Sequence, residues 1–330
     1  MRKVFPLLIA IFLIQTTAAQ SNTPAQPSSV FQAEVKKLTP EQTAELDEAT
    51  RFSAKVVELY KEQKYDEALP LAKRVVEARY RILGEYNGLT ASAKINLAEL
   101  YMAKREYGQA ENLYEQLLRV YERVFGVDHI NNTIIIDSLA LVNYLKRDYK
   151  KAEIFYVQSL SVREKALGSE HADVAEAAYK LAEFYRSRGA YAKAEPLFLH
   201  AIQISDKVFG VEKPEAQKFV QRYVCFLYES KSEQDAVHLE HKLWESRIPK
   251  SAILAGDIVN GKALSLPRPP YPEEARAIGA SGVVRVQIKI DEEGKVIEAN
   301  ALCGHPLLAK PAEAAARRAR FHPRSFMVCL

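Results

Sequence analysis

Two histidines, His129 and His171, stand 42 residues apart in matching surroundings, Gly126-Val127-Asp128-His129 and Gly168-Ser169-Glu170-His171. Imidazole is a common metal ligand, but a site needs three or four donors at ligand spacing. Neither histidine has a cysteine or a second histidine so placed, so a structural reading is expected over a metal site. His305 and His322 are read the same way. The three cysteines, Cys225, Cys303 and Cys329, have no CxxC spacing and so form neither a metal site nor a redox motif. Glutamate is plentiful, yet an acid–base pair needs a shared cleft, and carboxylates on amphipathic helices normally face water. Gly279-Ala280-Ser281-Gly282 precedes a strand instead of opening a helix, which is wrong for a phosphate cradle. No catalytic residue, cofactor or metal is expected.

The elements that would have to position any site follow from a repeat. Tyr65, Tyr107, Tyr149 and Tyr191 recur every 42 residues. Ala68, Ala110, Ala152 and Ala194 follow each tyrosine by three residues, and Gly84, Gly126, Gly168 and Gly210 by nineteen. Three residue types in register over four copies define a repeat array. A unit that cannot bury its own apolar face stacks on its neighbours, giving a superhelix with a long concave surface suited to holding other proteins.

Each copy reads as two antiparallel helices. In the second copy residues 92–105 form the first helix, with Leu97, Ala98 and Tyr101 inward, and Gly108 and its neighbours turn the chain. Residues 110–125 form the second helix, with Leu113, Leu117, Leu118 and Tyr121 inward. The repeat alanine sits where two helices cross closely, and Gly126 closes the second helix as a left-handed C-cap. Thr39-Pro40 opens the array as an N-cap and first helical residue, starting a helix to about Gln63. A partial fifth copy keeps Ala236 but has Glu233 for the tyrosine, and the array ends near Arg247.

The chain has 330 residues, 27% charged and 48% hydrophobic, which is ordinary globular composition with room for two domains. Residues 1–19 are expected to be a secretory signal peptide: Arg2 and Lys3, an apolar run over 5–14, then Thr17-Ala18-Ala19. The alternative is an uncleaved N-terminal anchor, although that run is short for a membrane span of about 20 residues. Residues 20–38 form a flexible polar leader. The mature chain is expected to be exported and soluble, which in a Gram-negative bacterium means the periplasm. Residues 248–330 carry twelve Lys/Arg against eight Asp/Glu, while 1–247 carry 34 of each. No basic stripe results, which speaks against nucleic-acid binding.

Past Arg247 the period becomes two. Val284, Val286, Ile288 and Ile290 share one strand face, Asp291-Glu292-Glu293-Gly294 turns the chain, and a second strand runs over 295–302. A proline-rich stretch (267–272) and a short helix (273–278) come before the hairpin, and a helix over 307–320 comes after it. The module is α+β, with Val284, Val286, Ile288 and Ile290 expected to pack on Leu308, Ala312 and Ala315. In an oxidising compartment one disulfide and one leftover thiol fit the cysteine count, and Cys303 with Cys329 is the expected pair because Cys225 lies on a predicted repeat helix.

The copies resemble tetratricopeptide repeats of the long, kinesin-light-chain type. Leu97-Ala98-Glu99-Leu100-Tyr101, Tyr107-Gly108-Gln109-Ala110-Glu111, Tyr191-Ala192-Lys193-Ala194-Glu195 and the two histidine loops carry the likeness, over residues 41–247. The resemblance implies a non-catalytic α-α solenoid that binds peptides or protein surfaces in a groove lined by the first helices. It places Asn96, Tyr179, Lys180, Arg186, Lys218 and Arg222 in that groove. Four of these are cations that could meet a carboxylate-bearing peptide through charge-assisted hydrogen bonds. Glu176, Glu183 and Glu229 share those faces and would neutralise part of the charge.

The last module resembles the C-terminal domain of TonB, the energy transducer of Gram-negative envelopes. Tyr271-Pro272-Glu273-Glu274-Ala275-Arg276, Gly282-Val283-Val284-Arg285-Val286, Asp291, Gly294, Val296 and Phe321-His322-Pro323 carry the likeness. TonB's membrane anchor and proline-rich spacer are replaced by the signal peptide and the array. The family's closing strand is expected to be mostly missing, leaving a sheet edge open to pairing. The expected architecture is thus an α-helical superhelical repeat array at 39–247 followed by a small α+β TonB C-terminal-like domain at 248–330. The expected function is an exported, non-enzymatic scaffold or adaptor for a protein or peptide, with envelope and outer-membrane transport proteins as natural partners. The alternative is a component of TonB-type energy-coupled transport acting through the last domain. Membrane contact is expected only through an uncleaved N-terminal segment.

Overall fold

A computed structural model describes residues 38–231, 233–245, 264–273, 276, 284–291, 293–303 and 306–321. The expected signal peptide, all but the last residue of the leader, the boundary at 247, and most of the short helix at 273–278 lie outside the described residues. The chain divides into two compact units, with the boundary between Arg188 and Gly189.

The first unit holds α1 (Pro40–Lys61), α2 (Tyr65–Leu83), α3 (Gly88–Ala103), α4 (Tyr107–Phe125), a 3₁₀ turn (Ile130–Asn132), α5 (Thr133–Leu145), α6 (Tyr149–Leu167) and α7 (Ala172–Ser187). Successive helices pack on one another in chain order. Thr39 opens α1 with a reciprocal cap: its hydroxyl accepts from the Gln42 N–H at 3.2 Å, and its own N–H donates to the Gln42 side chain at 3.1 Å. The helix α3 starts four residues before the expected position, because Asn87 caps it by accepting from the Leu89 N–H at 2.9 Å.

Each repeat tyrosine of this unit is the first residue of a second helix, and the alanine three residues on is fully buried. Of the α4 residues expected inward, Leu117 is buried, while Leu113, Leu118 and Tyr121 are only partly so. The largest fully buried side chain there is Tyr114, 1% exposed.

Two backbone expectations are corrected. The turn expected at Gly108 and its neighbours comes just before α4, and Gly108 itself lies inside that helix. The reversal falls on Arg105, at φ +62°, and on its repeat equivalents Gln63, Arg147 and Gly189 at +61°, +66° and +68°. Three side-chain-bearing residues thus hold left-handed backbone, which only a minority of non-glycine residues do. Gly126 does have positive φ (98°), but its ψ of 158° is extended, not left-handed helical. That region is essentially open to glycine alone, and Gly84, Gly168 and Gly210 repeat it.

The second unit holds α8 (Tyr191–Phe209), α9 (Pro214–Ser230), α10 (Glu233–Glu245), β1 (Arg285–Ile290), β2 (Val296–Cys303) and a last helix, α11 (Pro306–Arg317). Ala194 and Ala236 are fully buried, in line with the repeat. The strands form an antiparallel hairpin with Ile288 opposite Ala299 and a bulge near each end. Its turn is stabilised by the Asp291 carboxylate, which accepts from the N–H groups of Glu293 (3.1 Å) and Lys295 (2.8 Å), with Gly294 at φ +78°.

The module's core is shifted from the expected one. Val296, Ala299, Ala316 and Ala319 are buried, whereas Val286, Ile288 and Ile290 are partly buried and pack against them. Leu308 and Ala312 are only half-buried. The reason is that α11 lies mainly against β2, so the β1 side of a two-stranded sheet is covered less. After α11 the backbone of Arg320 bridges to Ser265 and Lys295, and the Phe321 N–H donates to the Gly294 carbonyl at 2.8 Å. The expected open edge concerns residues beyond Phe321, which lie outside the described residues.

Cys225, on α9, is disulfide-bonded. With only three cysteines in the chain, a bridge within it through Cys225 takes one of Cys303 and Cys329, so the expected pairing of those two with each other is corrected.

Candidate functional site: the faces of the first helices

Asn96, Ser138, Lys180 and Arg222 form one row of the 42-residue register, on α3, α5, α7 and α9. Each is half-buried or exposed, while the residue after it (Leu97, Leu139, Leu181 and Tyr223) is buried. In the first unit α3, α5 and α7 therefore hide one stripe and leave the next one accessible, and that accessible stripe is the candidate binding face; α9 of the second unit repeats the pattern on its own.

On α7 the structure brings Tyr179, Lys180, Glu183 and Arg186 onto this stripe, all half-buried. Neither cation is idle. The Lys180 ammonium donates to the Asp137 carboxylate at 2.7 Å. The Arg186 guanidinium makes a fork to Glu183, with contacts of 2.7 and 3.2 Å. On α9, Lys218 and Arg222 are exposed, the Lys218 ammonium lying 4.7 Å from the Phe219 ring centroid. Asn96 is half-buried on α3, and its side chain makes no hydrogen bond among the described residues. Tyr179, Lys180 and Arg186 are thus gathered on one helix of the first unit, Asn96 on another helix of that unit, and Lys218 and Arg222 on one helix of the second.

Asp137 is the residue the sequence reading missed. It interrupts the apolar run Ile134-Ile135-Ile136 and Leu139-Ala140 on α5, and that lone carboxylate is the signal that could have found it. Its side chain is 17% exposed. Besides Lys180 it receives the Arg163 guanidinium at 3.1 Å and the Ser159 hydroxyl. Burial pushes its carboxyl up, but the charges of Lys180 and Arg163 outweigh burial and hold it below the ordinary aspartate range.

A second set of carboxylates locks one copy to the next. Glu111 accepts from Lys146 and Lys151, and Glu153, 42 residues on, accepts from the Tyr185 hydroxyl at 2.7 Å. In the second unit their equivalent Glu195 accepts from Tyr223 (3.3 Å) and Lys231 (3.0 Å). These are assembly contacts; the groups they use are taken.

His129 and His171 order their loops. Each accepts a backbone N–H through Nδ1, from Asn131 at 3.2 Å and Asp173 at 3.1 Å, which caps the next helical turn. His305 and His322 lie outside the described residues. Among the described residues no group of three or more His, Cys, Asp or Glu could hold a metal ion, and no helix is long and apolar enough to cross a membrane. An open depression of about 690 Å³ lies on α6, between Ile154 and Val157 and the ion pair of Lys165 with Asp128 at 3.1 Å. It presents no nucleophile beside a base.

Tetratricopeptide repeats are matched at residues 55–123, 89–165 and 132–207, and the family described as Gram-negative bacterial TonB protein C-terminal is matched at 267–326. No curated protein matches the chain. Among solved structures, the TPR-like repeats of a kinesin light chain from Podosopora anserina are similar at 18% identity and a TM-score of 0.51, over 64% of this chain and 96% of that one. BtubC (BKLC) from P. vanneervenii is similar at 17% identity and a TM-score of 0.51, over 67% and 92%. Identities this low speak for the fold alone. Arrays of this kind are scaffolds for protein–protein interaction and are typically non-catalytic. The chain joins tetratricopeptide repeats, matched across residues 55–207, to a segment of the Gram-negative TonB C-terminal family at residues 267–326.

Proposed function

We propose that this is an exported scaffold of the Gram-negative envelope that holds a peptide or protein surface of its partner on the accessible stripe of its first helices. The observation that carries this reading is the row Asn96, Ser138 and Lys180, accessible on the three first helices α3, α5 and α7 of the first unit beside a buried row, with Arg222 accessible in the same register position on α9 of the second. The roles within the expected cationic set are redistributed. Lys180 and Arg186 are half-buried and bound to Asp137 and Glu183, whereas Lys218 and Arg222 are the exposed cations of the set, and that exposure makes them the first to set against an acidic or C-terminal carboxylate.

The double variant Lys218→Glu/Arg222→Glu tests it. Peptides selected from a displayed random library on the full chain should lose at least tenfold in affinity on the double variant, with helicity and melting temperature unchanged. Raised salt should weaken the wild-type complexes too, since exposed charges are screened over about 8 Å at physiological ionic strength. Equal affinity for both proteins would remove these cations from the binding face. Reversal at Lys180 is a poorer test, because it would set a second carboxylate against Asp137 and perturb the fold.

The family match at 267–326 supports a second reading, in which that segment engages a component of energy-coupled outer-membrane transport. Export without an anchor predicts a mature chain beginning near residue 20, which the mass of the protein recovered from the envelope reads directly. Retention of residues 5–14 would return the chain to an anchored form and favour the second reading.

A further inference from the structure

Glu99 lies on the accessible stripe of α3, three residues after Asn96. Its Oε1 accepts from the Tyr114 hydroxyl of α4 at 3.1 Å, and its Oε2 has no partner among the described residues. Tyr60 of α1 feels its charge, and Ser138 of α5, whose hydroxyl donates to the Ile134 carbonyl at 3.0 Å, lies close enough to act on Tyr114. No cation pairs with Glu99 among the described residues, so among them a desolvated carboxyl is left with the Tyr114 hydroxyl as its one hydrogen-bond partner. Burial holds it above the usual glutamate range.

Its counterparts are neutralised from within. Glu183 stands 84 residues on, in the same register position, and is bound by Arg186. Asp137, four residues from that position in the intervening copy, is bound by Lys180 and Arg163, and the charge of Asp137 acts on Tyr156 as that of Glu99 acts on Tyr114. The register shows what is missing around Glu99. Tyr114 and Tyr156 are equivalent, but the place of Lys180 is taken by Ser138 and the place of Arg163 by Tyr121. This copy keeps the acid and the tyrosine and lacks both cations.

We propose that Glu99, with Tyr60, Tyr114 and Ser138, is a subsite for a cationic group of the bound peptide, a lysine or arginine side chain or an amino terminus. The proposal rests on the groove being the binding face. An ammonium or guanidinium there meets the free Glu99 oxygen through a charge-assisted hydrogen bond, with half-buried Ser138 and Tyr60 beside it, while the buried Tyr114 only holds the other carboxylate oxygen in place. It supplies the charge that Lys180 and Arg163 supply one copy later. Glu99→Gln keeps the side chain's shape and its acceptor for Tyr114 and removes only the charge.

The experiment selects a displayed random peptide library on the full chain and runs a two-by-two cycle. Selected peptides should carry Lys, Arg or the free amino terminus at one constant position. Replacing that group by a neutral one should cost at least tenfold on the wild-type chain and almost nothing on Glu99→Gln, because a coupled pair is non-additive. Peptide replacements on the unaltered chain keep the test valid even if Glu99→Gln folds poorly. Binders without a constant cation, or losses that simply add, would overturn the subsite and leave the groove standing. A library that yields no saturable binder would overturn both.

Discussion

Asp137→Ala should destabilise the repeat unit by about 2–3 kcal/mol, measured as the shift in the urea midpoint at unchanged slope. Removing one partner of a fully buried ion pair costs roughly 3–5 kcal/mol, because the partner's charge is left uncompensated. The smaller figure reflects Lys180, whose side chain stays 38% exposed and can turn to water, whereas Arg163 keeps 13% and cannot. The loss should depend on pH with a definite sign. Asp137 has a depressed folded value, so its contribution is present above the ordinary aspartate range of about 4 and is lost as pH falls through the lower folded value. The wild-type and variant stabilities should therefore converge in strong acid. A difference under about 0.5 kcal/mol at neutral pH, the range of ordinary surface changes, would show that the network does not hold α5, α6 and α7 together.

Ala110→Leu should cost roughly 1–3 kcal/mol by overpacking a helix crossing. Ala110 is fully buried, in a cluster that includes Leu97, Tyr101, Leu117 and Leu139, and the added carbons have nowhere to go without moving a helix. The neighbour Gln109 is exposed, so Gln109→Leu should stay within about 0.5 kcal/mol and serve as the control for a leucine on α4. Equal effects at the two positions would mean that the repeat alanine is not set by packing. Peptide binding at Lys218 and Arg222, on another helix, should be unchanged by Ala110→Leu so long as the protein remains folded.

The parts legible in the sequence were those written in periodicity. The tyrosine, alanine and glycine series gave the helix pairs and the close crossings, the alternation at 284–290 gave the hairpin strand, and Asp291 to Gly294 gave its turn. The parts that were hidden depend on residues far apart in the chain or on backbone that side chains do not advertise. Gln63, Arg105 and Arg147 hold left-handed turns without a glycine to mark them. Asp137 meets Arg163 and Lys180 over 26 and 43 residues, and that pairing decides whether Lys180 is a free cation. The disulfide at Cys225 likewise needs spatial proximity that spacing cannot supply. Glu183, the partner of Arg186, was legible as a carboxylate on the same face; Asp137, the partner of Lys180, was not.

The central claim, a partner held on the accessible stripe of the first helices, is tested most directly by site-specific photo-crosslinking with a library-selected peptide. A crosslinker in place of Tyr179 on α7 should capture the peptide, while one in place of Ile154 on the α6 depression or of exposed Tyr271 in the C-terminal segment should not. Capture from Ile154 or Tyr271 and none from Tyr179 would contradict the claim, and capture from Tyr271 would transfer the binding role to the C-terminal segment.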